Sequence, residues 1–133
     1  MDRKAFERFI DERRNAPFEW GRNDCCLFVF DALLALTGRD YVAGLRNYSS
    51  ALGAAKIIKK IGSIEALLDS LFEPLSVQFA KKYDPVLFNT DGGQALGICI
   101  GTHFAAVSQH GLSYIGLAHA QKAWKCPQQY SLR

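Results

Sequence analysis

An α+β fold, with helices first and a small antiparallel sheet afterwards, is what this sequence predicts, and three observations predict it. Up to Phe72, apolar residues recur at helical spacing between residues that cap helices. From Pro85 onward the pattern changes to short apolar runs punctuated by Gly-, Asn- and Asp-containing turns, which is the signature of strands and hairpins. Between the charged first helix and the rest lies a run from Cys25 to Leu36 that is apolar on nearly every side, so it must be buried all round. Helical and strand patterns segregated along a chain give helices gathered on one side of a sheet.

Residues 3–14 read as a surface helix, because Phe6, Phe9 and Ile10 fall at i, i+3 and i+4 while charged residues cover the rest; 15–17, ending in Pro17, stop it. Asn23 or Asp24 can cap the apolar helix 25–36, which Thr37-Gly38 closes. Asp31 inside that helix needs an Arg or Lys from a neighbour, since a lone buried carboxylate is costly. Ser49 or Ser50 caps a third helix, with Leu52, Ala55, Ile57, Ile58 and Ile61 inward and Gly62 as its stop. Ser63 caps a fourth over 64–72, with Leu67, Leu68 and Leu71 inward, and Glu73-Pro74 breaks it. Strands are expected at 86–88, 95–100, 103–108 and 112–117, the last three joined by hairpin-sized gaps and pairing in order as a meander. Residues 118–125 read as a last helical turn with Trp124 packed back on the sheet, followed by an irregular tail.

At 133 residues the chain suits a single domain over 1–133 with a real core, and no Pro/Gly/Ser-rich linker divides it. Hydrophobic and charged fractions of 49% and 22% argue against disorder. The net charge is only +3 and the basic residues are scattered, so nucleic-acid binding is not indicated. The N-terminus lacks the apolar stretch of a signal peptide, so export by that route is not expected. The run at 25–36 is too short to span a bilayer, which needs roughly 20 residues. Cysteines at 25, 26, 99 and 126 show neither paired CxxC spacing nor a disulfide framework, so reduced thiols are expected and neither a cofactor nor a metal is. A metal or iron–sulfur site shared with a partner chain is the one thiol–metal alternative.

The stretch with chemical potential is the start of the apolar helix. Cys25 or Cys26 sits in its first turn, where unpaired backbone N–H groups and the positive end of the helix dipole favour thiolate over thiol. Nucleophilic cysteines are often placed this way. Two small hydrophobes packed in a buried helix is the competing reading. Asp24 either tunes Cys25 or caps the helix, and Trp20 either stacks on a sugar or acts as a hydrophobic staple.

A helix-borne cysteine facing a sheet is the geometry of papain-like thiol enzymes, and the local sequence strengthens the likeness. The segment Asp24-Cys25-Cys26-Leu27-Phe28-Val29 resembles the Asp-Cys-Ser-Gly-Phe-Val signature of NlpC-type cell-wall cysteine peptidases, with Cys25 in the nucleophile position. The segment from Lys82 through Asp84 to Phe88 resembles their Arg-Gly-Asp-Leu-Val-Phe-Phe first strand, with Tyr83 replacing the usual Gly. The segment from Ala95 to Gly101 resembles their His-Val-Gly-Ile-Tyr-Ile-Gly second strand. Between Phe18 and Lys125 the chain is also similar to small NlpC-like proteins encoded near phage and prophage tail genes, through Trp20-Gly21, Tyr48-Ser49, Gly53-Ala54, Gly111-Leu112 and Ala123-Trp124.

The resemblance implies a histidine base at the start of the second strand, where this chain has Ala95, or Gln94 if the register slips by one. Neither is a base, although Gln94 can donate to a developing oxyanion. The imidazole-orienting position falls near Ala106 or Val107, also non-polar. His103 and His119 are the candidate substitutes, since the order of a triad along a chain is not fixed; His110 lies in a polar turn. Two functions follow as expectations. The first is a catalytically degenerate phage tail-tip protein, binding tail-hub or tail-tip partners, present in the bacterial host cytoplasm during assembly and then in the virion. The second is an active thiol peptidase or amidase that cleaves peptidoglycan peptides during phage entry.

Overall fold

Six antiparallel strands in the order β1-β6-β2-β3-β4-β5 form the sheet of the computed structural model, which describes residues 1–127. The strands are β1 (Pro74–Leu75), β2 (Pro85–Thr90), β3 (Gly93–Cys99), β4 (His103–Ser108), β5 (Gly111–Gly116) and β6 (Ala120–Trp124). Four helices precede them: α1 (Arg3–Arg13), α2 (Cys25–Thr37), α3 (Ala51–Ile61) and α4 (Ile64–Leu71). The α+β class is therefore the observed one, and the expected meander is present as β2 to β5.

The caps are those the sequence points to. Asp24, Ser50 and Ser63 accept from the backbone N–H groups of Leu27, Gly53 and Ala66, and Gly38 ends α2 in the left-handed conformation at φ 80°. Buried Phe6, Phe9 and Ile10 hold α1 to α2, with Phe9 stacked on Phe28 at 5.5 Å between ring centres. Asp31 has its expected counter-ions, Arg13 at 3.0 Å and Arg46 at 2.8 Å.

Three expectations are corrected. Of residues 118–125, expected as a last helical turn, only 118–119 belong to one, the turn 117–119; residues 120–124 form β6, inserted between β1 and β2. The reason is tertiary: Val86 and Leu87 of β2 are fully buried, and the backbone groups along that edge need partners that water cannot supply. A register shift between Leu87 and Phe88 breaks the alternation that would have marked 120–124 as a strand. Glu73-Pro74 does end α4, but Pro74-Leu75, where no strand was expected, pairs with Trp124 and Ala123 as the edge strand, a place that tolerates proline. The apolar face of α3 is turned inward only loosely, since none of its residues is buried and Leu52 is 66% exposed.

Two cores result. The larger lies between the helices and one face of the sheet, around Phe28, Leu33, Leu68, Leu96 and Ile98. The smaller covers the other face, around Val86, Phe88, Phe104 and Ala123. Tyr83, which stands where the NlpC-type motif has Gly, has φ 85°, a conformation that disfavours side chains; its ring is buried edge-on against Phe6 at 4.8 Å, which offsets that cost. Among the described residues no helix is long and apolar enough to cross a membrane.

A thiol pair and apolar pocket at the start of the central helix

The turn that enters α2 is built from side chain to backbone. Asn23 donates to the carbonyls of Ala16 and Pro17 and accepts from Arg13. Gly21 has φ 79°, and a Cβ there would lie 2.0 Å from the Tyr48 carbonyl oxygen, so no larger residue fits. The buried Asp24 carboxylate accepts three hydrogen bonds: Leu27 N–H at 2.9 Å, Gly21 N–H at 3.0 Å and the Tyr48 hydroxyl at 2.5 Å. Asp24 is thus the helix cap and the clamp of the 21–24 turn. Its charge works against a Cys25 thiolate rather than for it.

Cys25 is nevertheless held below the ordinary thiol range. The Cys26 thiol, 3.9 Å away, is the largest cause; the backbone N–H groups of Leu96 and Cys26 help, while burial and Asp24 oppose. The same pairing, burial and Asp24 push Cys26 well above that range. One sulfur is therefore disposed to be the anion and its neighbour to be the donor. Tyr48 is raised by burial and by its bond to Asp24, so its hydroxyl stays protonated. Cys99 and Cys126 are buried in the sheet region, away from this pair, and both are raised chiefly by burial.

Gln94, not Ala95, faces the thiols. Alternation along β3 turns Ala95 to the smaller core, with Val86 and Phe88, whereas Gln94 lines the pocket into which Cys25 and Cys26 open. On the next strand, the positions expected to orient an imidazole are apolar on both faces: Val107 packs on the helical core and Ala106 on the other. All three histidines are exposed and none lines the pocket. His103 follows the far end of β3 from Gln94, about 16 Å along the strand at ~3.3 Å per residue, where its Nδ1 meets Thr102 Oγ1 at 2.9 Å. His119 is exposed at the end of the 117–119 turn, whose neighbours Leu117 and Ala120 pack on the smaller core. His110 lies in the β4–β5 turn. The histidine substitutes are thus not brought to Cys25, and Asp24, Cys25 and Gln94 are the sequence-predicted residues that come together.

The pocket holds about 250 Å³ and runs from the thiols into the space between α2, α3 and α4. Leu27, Phe30, Ile58, Ile61 and Leu67 line its depth, and Tyr48 and Trp20 stand with the thiols and Gln94 among its walls. Trp20 is not a staple for α2: it is 40% exposed and packs edge-on against Phe18. Tyr48 was not singled out as a site residue by its sequence context, since no local pattern ties it to Asp24, 24 positions earlier. Among the described residues no group of three or more His, Cys, Asp or Glu is placed to hold a metal ion.

A half-buried cysteine opening a helix that packs on an antiparallel sheet defines an NlpC/p60-like, papain-type fold. A crystal structure of the NlpC/p60 domain of the peptidoglycan hydrolase SagA matches with a TM-score of 0.61 and 18% identity, covering 94% of this chain and 99% of that one. That likeness is one of fold. The chain itself belongs to the family described as domain of unknown function DUF6950, which matches residues 2–126. No functionally curated protein matches it.

Proposed function

We propose that this chain is a phage or prophage tail-tip protein, a single domain over 1–133, which keeps the NlpC/p60-like fold but not amide-bond hydrolysis. The observation that carries the loss of hydrolysis is Gln94 lining the pocket with Cys25 while no histidine does. A missing general base or acid removes roughly 2 to 4 orders of magnitude from rate. The tail assignment is supported by the motif similarity to tail-associated NlpC-like proteins, and its partners are tail-hub or tail-tip proteins in the host cytoplasm and then the virion.

Muropeptide digestion tests the first part. The chain releases no product above background, and Gln94→His is the substitution that gains activity; cleavage by the unaltered chain that is lost in Cys25→Ala overturns the reading. Binding assays against tail-hub and tail-tip proteins, with a search for the chain in purified virions, test the second, which fails if the chain binds none and is absent from particles. The alternative, an active thiol peptidase or amidase acting on peptidoglycan peptides during entry, is favoured by one observation only, the lowered Cys25 thiol.

A further inference from the structure

We propose that Cys25 accepts acyl groups from acyl thioesters, with the aliphatic chain of the acyl group lodged in the pocket between α2 and α3. The pocket is the first support. Its depth is aliphatic and aromatic carbon, and its polar members are gathered where the thiols are: Asp24 and Tyr48 satisfy each other, leaving the sulfurs and the Gln94 amide to meet a ligand's polar end. A peptide would carry backbone N–H and C=O groups into that apolar depth, where each unpaired group is penalised. A hydrocarbon chain attached to one carbonyl matches both ends.

The chemistry the residues permit is the second support, and it rests on the absence of a base as the proposed function does. Expelling an amine from an amide requires a proton on the leaving nitrogen, which Gln94 cannot give. Expelling a thiolate from a thioester does not, because a thiolate is a stable leaving group. The Cys25 thiolate attacks the acyl carbonyl carbon, a new C–S bond forms to Cys25 Sγ, and the donor's C–S bond breaks. The donor sulfur leaves with the electron pair and takes a proton from solvent. No oxidant, reductant or metal enters the balance. Hydrolysis of the product needs an activated water, and the pocket has no histidine to activate one, so the thioester on Cys25 persists.

Incubating the full chain with acetyl-, octanoyl- and palmitoyl-coenzyme A, followed by intact-mass measurement and peptide mapping, tests this. One acyl group is expected on Cys25, stable over hours at neutral pH, released by hydroxylamine and absent in Cys25→Ala. Burial of each added methylene favours binding roughly fourfold, so octanoyl transfer should exceed acetyl transfer by at least about tenfold. Ala55→Phe, which narrows the pocket from the α3 side, should erase that preference. Decanoic acid, which cannot acylate, should protect Cys25 from iodoacetamide in the unaltered chain, a readout that does not depend on the variant folding. No adduct, an adduct spread over Cys99 and Cys126, or equal rates for acetyl and octanoyl groups overturns the proposal. Rapid turnover of the adduct overturns it too and favours the hydrolase reading. Acylation by a chain that binds no tail protein leaves this inference standing and removes the tail assignment.

Discussion

The two helices that face each other across the pocket are built in opposite ways. In α2, seven residues are buried, the entry turn is tied by Asp24 and Asn23, and the one charge inside it is held by two arginines. In α3, equally apolar on its inner side, no residue is buried. What α3 lacks is a surface to pack against, because the pocket lies where that surface would be. One wall of the site is therefore fixed by the core, and the other is held mainly by its cap and its partial contacts.

Truncation should separate the two walls most strongly. Phe28→Ala, at a fully buried position stacked on Phe9, is expected to cost roughly 3–5 kcal/mol in urea unfolding. Ile57→Ala on α3 should cost less than about 1 kcal/mol, since it already borders open space. Equal losses would break the comparison. Asp24→Ala should come next, at about 2–3 kcal/mol, by removing a cap and leaving the Tyr48 hydroxyl and Gly21 N–H without their acceptor. Asp24→Asn, which keeps an acceptor, should recover part of that loss.

Alkaline pH probes the fixed side without mutation. Burial, and next the Asp84 charge, push the Cys126 thiol up to about 12 from an ordinary value of 9.0. Below about 9 the thiol is protonated folded and unfolded, so this group adds no pH dependence. Between about 9 and 12 the unfolded chain gives up the proton and the folded chain keeps it, so stability falls as pH rises. Cys126→Ala should flatten that limb of a stability-against-pH curve. The smallest effect, on reactivity rather than stability, is at the pocket mouth. Iodoacetamide should modify Cys25 with an inflection below that of a free cysteine, because the thiolate reacts and its lowered pKa lets it form earlier as pH rises, while Cys26 stays slow. Removing the donor in Cys26→Ala should move the Cys25 inflection upward; an unchanged curve would separate the two sulfurs.

Much of the fixed wall was legible before any coordinates. Caps are local, so Ser63 and Gly38 could be read directly and the choice was narrowed to Asn23 or Asp24 and to Ser49 or Ser50, of which Asp24 and Ser50 are the caps. Asp31 was legible as a charge needing a partner, but not which partner, because Arg13 and Arg46 arrive from opposite directions along the chain. The choice between Gln94 and Ala95 could not be made from sequence, since a slip of one residue reverses every side chain on a strand. Tyr48 and the pocket were out of reach for a related reason: a space between helices is a property of their placement, and the pattern of α3 is that of a well-packed helix. The Ala-rich segment around 118–125 read as helical by propensity and became strand through the needs of β2.

The position of β6 also sets an order of events. Its partners β1 and β2 are made well before it, yet β6 lies between them, so a nascent chain that ends before residue 120 has β1 detached and the buried edge of β2 open. The sheet can close only after the last strand emerges, which makes its completion a slow, long-range step and leaves an unpaired edge exposed until then. Shortening the chain by a few residues within 120–124 should therefore act on the middle of the sheet rather than trim its rim.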